Sequence, residues 1–156
     1  MSRGLGDVYK RQIFGDPNAQ YDLAQMYRGG SGGVAKDSVV AVRWLAVAAE
    51  KGHPPSEAVL GHMLFTGDGV PHQRARGLMW LEFAKEAAPD PKEAWIRDLY
   101  QRDFELASDD DRQVAAAMHD TRAKGAPPSA PGRNFIKTFL RPLGLPLLIG
   151  SAPPAQ

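Results

Sequence analysis

A glycine-rich stretch of this sequence, Gly29-Gly30-Ser31-Gly32-Gly33, formally matches a catalytic motif. It has the G-x-S-x-G spacing of the nucleophile elbow, in which a tight strand-to-helix turn exposes a serine for nucleophilic attack. The residues before the stretch have helical periodicity, and a second copy of the same loop carries Asp68 where a nucleophile would be needed. We therefore interpret the stretch as a turn and predict no catalytic residue.

Histidines and clustered acids are the other residues that could do chemistry, as metal ligands. The four histidines have neither i, i+4 nor H-E-x-x-H spacing: His53, His62, His72 and His119. Asp109-Asp110-Asp111 lacks the alternating acids, central glycine and distal glutamate of a calcium loop, and it fits the start of a helix better. The chain has no cysteine, which excludes thiol chemistry and cysteine zinc sites. We expect no metal and no cofactor.

The overall composition limits the class of partner. There are 19 Lys and Arg residues against 18 Asp and Glu, a formal charge of +1, so no broad positive field would attract nucleic acid. The 156 residues suffice for one domain, and no apolar run reaches the roughly 20 residues of a membrane-spanning helix. We expect a soluble chain, in the cytoplasm or the periplasm, that does not bind nucleic acid.

The first twelve residues read as foreign to the rest. Asp7-Val8-Tyr9-Lys10-Arg11-Gln12 resembles the in-frame translation of a sequencing adapter. We therefore expect residues 1–12 to be non-native and the chain to be a fragment that lacks its natural start and any export signal. The loss of several upstream repeats is a further possibility.

An internal repeat supplies the elements that position these residues. Leu23-Ala24 recurs as Leu60-Gly61 after 37 residues, and Trp44-Leu45 recurs as Trp80-Leu81 after 36. The one-residue difference falls in the glycine-rich turn, where insertions are tolerated. Repetition at this period is typical of helical solenoids, in which successive units share one core. Because the two tryptophans are equivalent, we predict that both lie in the core at matching depths.

Each unit has the signals of two helices. In the first unit Asp16-Pro17 begins a helix and Gly29 stops it, then Asp37 caps a second helix that ends at Gly52. A degenerate third unit begins with Asp90-Pro91. The prediction is an all-α, alpha-alpha superhelix of three helix hairpins. Its expected bounds are residues 13–125, with repeats at about 16–52, 53–88 and 89–125.

The repeated residues resemble a known family. Ala19-Gln20-Tyr21-Asp22-Leu23-Ala24-Gln25-Met26-Tyr27, followed by Gly33-Val34, Ala41-Val42-Arg43-Trp44-Leu45 and Ala48-Ala49-Glu50-Lys51-Gly52, is similar to the bacterial-type Sel-1-like repeat, a relative of the tetratricopeptide repeat. The resemblance implies a right-handed superhelix that acts as a scaffold or adaptor and binds a partner protein in a concave groove lined by the first helices. At those positions it implies the candidate contact residues Tyr21, Gln25, Arg28, His62, Phe65, Asp98 and Gln101. The alternative is that these are ordinary solvated helix positions.

An enzymatic alternative also follows from the resemblance. Some cysteine-rich Sel-1-like proteins were proposed to act on beta-lactams, which suggests a hydrolase or a cell-wall enzyme. This chain has neither their cysteines nor an S-x-x-K motif, so we predict that it is not an enzyme. Placement of Ser31 beside His62 or His72, with a carboxylate orienting the histidine, would favour the alternative.

A tail, residues 126–156, is rich in Pro and Gly and is predicted to be disordered or extended. It also contains apolar residues, namely Phe135, Ile136, Phe139, Leu140, Leu143 and Leu145-Pro146-Leu147-Leu148-Ile149. These could dock on the solenoid, on a partner or on a membrane surface. Pro142 and Pro146 prevent one long helix, so the interpretation we favour is a short turn followed by coil.

Overall fold

The computed structural model describes residues 15–88 and 90–125, and within these ranges it is built of α-helices with one 3-10 turn. The helices are α1 (Pro17–Gly29), α2 (Ser38–Glu50), α3 (Pro54–Thr66), α4 (Arg74–Ala87), α5 (Ala94–Leu106) and α6 (Asp109–Gly125), and the 3-10 turn is Pro91–Glu93. The described part contains no strand. The all-α prediction is confirmed, whereas the predictions for residues 1–12 and 126–156 lie outside the described residues.

Local sequence signals explain where the helices begin and end. The Asp16 carboxylate accepts a hydrogen bond from the Asn18 amide at 2.9 Å, and Asp37 accepts bonds from the Val39 and Val40 amides. Gly30 follows α1 with a φ of 69°, a left-handed conformation that a side chain would strain. These caps therefore set the bounds that the sequence predicts to within a residue or two.

Helices α3 and α4 cross at very close range. A Cβ atom placed on Gly61 would lie 2.6 Å from the Gly77 carbonyl oxygen, and one on Gly77 would lie 2.5 Å from the Gly61 oxygen. Backbone is thus packed directly on backbone. Leu60 and Leu81 beside the crossing are fully buried, so the two glycines let the apolar faces of α3 and α4 close on each other.

The two repeat-equivalent tryptophans lie at different depths, and the prediction of matching depths is wrong. Trp80 is 1% exposed, whereas Trp44 is only partly buried against the same core. The difference arises from α6, because the Arg122 guanidinium lies 4.5 Å from the centre of the Trp80 ring. Phe83 packs beside this pair, with its ring centre 6.3 Å from that of Trp80.

The third helix pair is more open than the first two. Helix α6 packs mainly along α4 rather than along α5. Its C-terminal half is held by an ion pair from Arg122 to Glu50 at 3.0 Å and by His119, whose ring stacks on Phe83 at 4.2 Å. Burial raises the pKa of the neighbouring Glu57 to about 8, an effect that Glu50 strengthens and Arg122 opposes.

Candidate partner-binding surface

The first helices of the three pairs lie side by side. Helix α3 contacts α1 on one side and α5 on the other. All seven candidate contact residues predicted from the sequence lie on these three helices. What differs among them is exposure and bonding.

On α1, three candidate residues form a hydrogen-bonded row. The Gln25 amide donates to the Tyr21 hydroxyl at 2.7 Å, and Arg28 donates to the Gln25 carbonyl oxygen at 3.5 Å. All three side chains are partly exposed. The Tyr21 ring also packs on His53, at 5.6 Å between ring centres, and the His53 Nε2 donates a hydrogen bond to the Asn18 Oδ1 at 3.0 Å. These contacts hold the row rigidly at the junction of the first two repeats.

The row borders a depression of about 360 Å³ where α1 meets the two glycine-rich turns. We call this the turn-side depression; it is lined by Gln25, Arg28, Gly29, Lys36 and Asp68. Lys36 reaches it because the first turn folds back on α1, with the Asp37 amide bonded to the Tyr27 carbonyl at 2.8 Å. Its lining carries two cations and one carboxylate, and it is polar and open to solvent.

The sequence alone did not identify Lys36 and Asp68 as members of this surface. Both are exposed loop residues without a periodic pattern. The only signal for these two residues was that they lie close to glycines in the left-handed conformation. Gly30 is one example, because a Cβ atom placed on it would lie 3.1 Å from the Lys36 Cβ.

On α3, His62 is joined to a buried carboxylate that the sequence analysis missed. Its Nδ1 lies 2.7 Å from the Asp103 Oδ2, and the two side chains are 29% and 2% exposed. A signal was present, because Asp103 continues the helical i, i+3, i+7 spacing of Ile96 and Leu99, both buried. An acid at a core position needs a partner, and His62 supplies it.

The remaining candidates divide between core and solvent. Phe65 is 4% exposed and packs in the core, with the Arg74 guanidinium 5.5 Å from its ring centre, because the close approach of Gly77 draws α4 over it. It therefore offers almost no surface to a partner, contrary to expectation. Asp98 and Gln101 are exposed on α5, and Gln101 bonds to Glu105 at 2.6 Å.

The geometry that would favour a hydrolase is incomplete in the described part of the chain. A carboxylate does orient His62, but neither His62 nor His72 hydrogen-bonds to Ser31 within that part. The His72 Nδ1 lies 3.3 Å from the Phe65 carbonyl oxygen instead. Ser31 is an exposed turn residue whose amide bonds to the end of α1.

Comparison with known proteins agrees with the helical repeat. Residues 17–53 and 54–88 each match the Sel1 repeat. The chain therefore contains two Sel1 repeats. Its matched repeats contain the first two helix pairs, α1 to α4, and the turn-side depression lies between them. The Sel1 fold generally mediates protein–protein interaction, and proteins built from it are typically non-enzymatic scaffolds.

Two bacterial relatives carry the same functional name. The Sel1-repeat chain is 36% identical over 113 residues to an "Exopolysaccharide production negative regulator" of Rhizobium leguminosarum bv. viciae, and 34% identical over 105 residues to the protein so named in Rhizobium meliloti. The alignments cover 72% and 67% of this chain but 40% and 37% of the relatives. The chain thus spans about two fifths of these proteins.

A solved structure shares the fold. The protective antigen of uropathogenic Escherichia coli that displays an SLR fold superposes with a TM-score of 0.63 at 22% identity, covering 79% of this chain and 26% of that one. Within residues 15–88 and 90–125, none of the helices is both long enough and apolar enough to cross a membrane.

Proposed function

We propose that this Sel1-repeat protein is an adaptor that binds an acidic segment of a partner protein at the turn-side depression and thereby takes part in the control of exopolysaccharide production. It performs no catalysis itself. The observation that carries the proposal is the depression of about 360 Å³ in which Arg28 and Lys36 face one carboxylate, Asp68.

The chemistry of the depression favours a carboxylate-bearing partner. A guanidinium forms paired hydrogen bonds to a carboxylate, and the ammonium of Lys36 adds a second positive charge. Tyr21 and Gln25 hold Arg28 in place, so little side-chain freedom remains to be lost on binding. Tyr and Arg are also the residue types that contribute most to protein interfaces.

The regulatory part of the proposal rests on the two Rhizobium relatives, whose printed name is that of a negative regulator of exopolysaccharide production. A regulator without a catalytic site acts by binding other proteins, which fits a helical scaffold. Exposed Asp98 and Gln101 on α5 extend the proposed contact surface beyond the depression.

Charge reversal in the depression tests the proposal. In the source bacterium the gene is deleted, exopolysaccharide per cell is measured, and the deletion is complemented with wild type, with Arg28→Glu/Lys36→Glu or with the control Lys124→Glu. Lys124 is exposed at the far end of α6. We expect exopolysaccharide to rise on deletion and to return to normal with wild type and the control, but not with the double variant.

Binding is measured separately by affinity purification of the same three proteins. Loss of the co-purifying protein with Arg28→Glu/Lys36→Glu alone supports the adaptor role. If the deletion leaves exopolysaccharide unchanged, the regulatory role is refuted. If the double variant restores regulation and still retains its partner, the depression is not the binding site.

A further inference from the structure

A second groove, which shares no lining residue with the turn-side depression, lies between α4, α5 and α6 and has a volume of about 370 Å³. We call it the distal groove. It exists because α6 packs along α4 and leaves α5 apart. Buried Leu78 and Ala115 form its floor, and Tyr100 and Phe104, whose rings stack at 5.5 Å, form one wall.

The rim of the distal groove is charged while its floor is apolar. The Lys85 ammonium lies 4.0 Å from the centre of the Tyr100 ring, and the Arg112 guanidinium lies 4.6 Å from that of Phe104. Glu82 lines the same rim. An apolar floor inside a polar rim is the anatomy of an interaction site rather than of a solvated surface. On the two helices beside it, Leu106 and Val114 stay 67% and 47% exposed.

The chain itself contains an apolar segment within reach of this groove. Phe135 is separated from the end of α6 at Gly125 by residues 126–134, which can span about 30 Å when extended. Ala116 in the groove is nine residues before Gly125, a distance of about 14 Å along the helix. The connection is therefore long enough to turn back along α6.

Attachment to the same chain favours this segment over a free partner. A tethered segment competes at an effective concentration on the order of millimolar, so even a weak apolar contact is occupied. Phe135, Ile136, Phe139 and Leu140 supply large apolar side chains. A volume near the lower end of ligand pockets takes a few such side chains rather than the whole segment.

We infer that residues 135–143 dock in the distal groove of their own chain, with their apolar side chains against the partly exposed Tyr100 and Phe104. This inference is independent of the proposed function. It assigns an intramolecular role to an apolar segment of the tail that the repeats do not use.

Because the full chain has no cysteine, a pair of introduced cysteines reports the docking directly. The test variant is Ala116→Cys/Thr138→Cys, which leaves Phe139 intact. The control is Val114→Cys/Thr138→Cys, because Val114 is exposed and lies about 200° around α6 from Ala116 at nearly the same tether distance. Disulfide formation in dilute protein is followed by non-reducing electrophoresis and mass spectrometry.

We expect the test variant to form an intramolecular disulfide at least about tenfold faster than the control, and Phe139→Ser added to both to abolish the difference. Equal rates for test and control would show that only the tether acts and would overturn the inference. Disulfide-linked dimers whose yield rises with protein concentration would place a second copy in the groove instead. Equal rates together with co-sedimentation of the wild-type chain with phosphatidylserine vesicles would place the segment on a membrane.

Discussion

The crossing of α3 and α4 makes Gly77→Ala a sharp test of the packing. A Cβ atom at this position would lie 2.5 Å from the Gly61 carbonyl oxygen and 2.8 Å from the Phe65 nitrogen. Both neighbours are backbone atoms, so no rotamer change relieves the contact. Reaching ordinary van der Waals distance requires the helices to separate by nearly 1 Å, which loosens the core around the crossing.

The expected magnitude follows from two opposing effects. Overpacking costs about 1–3 kcal/mol, and replacing glycine by alanine inside a helix returns about 0.8–1 kcal/mol of helix propensity. Because the clash is with backbone on both sides, we place the cost in the upper part of that range. The net loss in free energy of unfolding is then about 1–2 kcal/mol, which lowers the urea midpoint by roughly 0.5–1 M at an m value near 2 kcal/mol/M.

The assay is urea denaturation followed by circular dichroism, with Gly29→Ala as the matched control. Gly29 is also the site of a helical glycine, yet a Cβ there meets no atom within 4 Å, so we expect no loss of stability. The double variant Gly61→Ala/Gly77→Ala should lose less free energy of unfolding than the sum of the losses in the two single variants, because one separation of the helices relieves both clashes. A Gly77→Ala midpoint equal to or above that of wild type would refute the backbone-on-backbone crossing.

Three further outcomes are expected. Burial raises the pKa of Glu57 from 4.5 to about 8, so protonation of this side chain stabilises the folded state below pH 4.5, and the stabilisation is lost as the pH rises to about 8. The urea midpoint of wild type should therefore fall over that pH range relative to the midpoint of Glu57→Gln. Parallel midpoint curves for the two proteins would contradict this. In a double-mutant cycle, His62→Ala and Asp103→Ala should show a coupling of about 0.5–3 kcal/mol, because His62→Ala leaves the buried Asp103 carboxylate without this hydrogen bond. Additive losses would show that the pair contributes nothing. Trp80→Ala should cost about 3–5 kcal/mol and Trp44→Ala clearly less, because only Trp80 is fully buried; equal losses would argue against the cover by α6.

Some of the residues predicted to lie on the surface are exposed and others are buried, because the position of a residue on its helix does not fix its exposure. Tyr21, Gln25 and Arg28, which the family resemblance gave as candidate contact residues, are partly exposed along one row, and their contact with a partner stays a prediction. Phe65 was assigned to the surface by the same repeat logic, but Gly77 brings α4 close enough to bury it. A periodic pattern reports which residues share a face, and the neighbouring helix decides whether that face is covered.

The amino-acid sequence by itself determined the helices, their ends and their repetition, because caps, left-handed glycines and apolar spacing act over a few residues. Asp16, Asp37 and Gly30 carry that information locally. Only the tertiary structure decided the burial of Trp80 beyond that of Trp44, and the pairing of His62 with Asp103 across 41 positions of sequence. These features depend on how α5 and α6 pack against the preceding helices. Contacts between such distant segments produce no periodic pattern in the sequence.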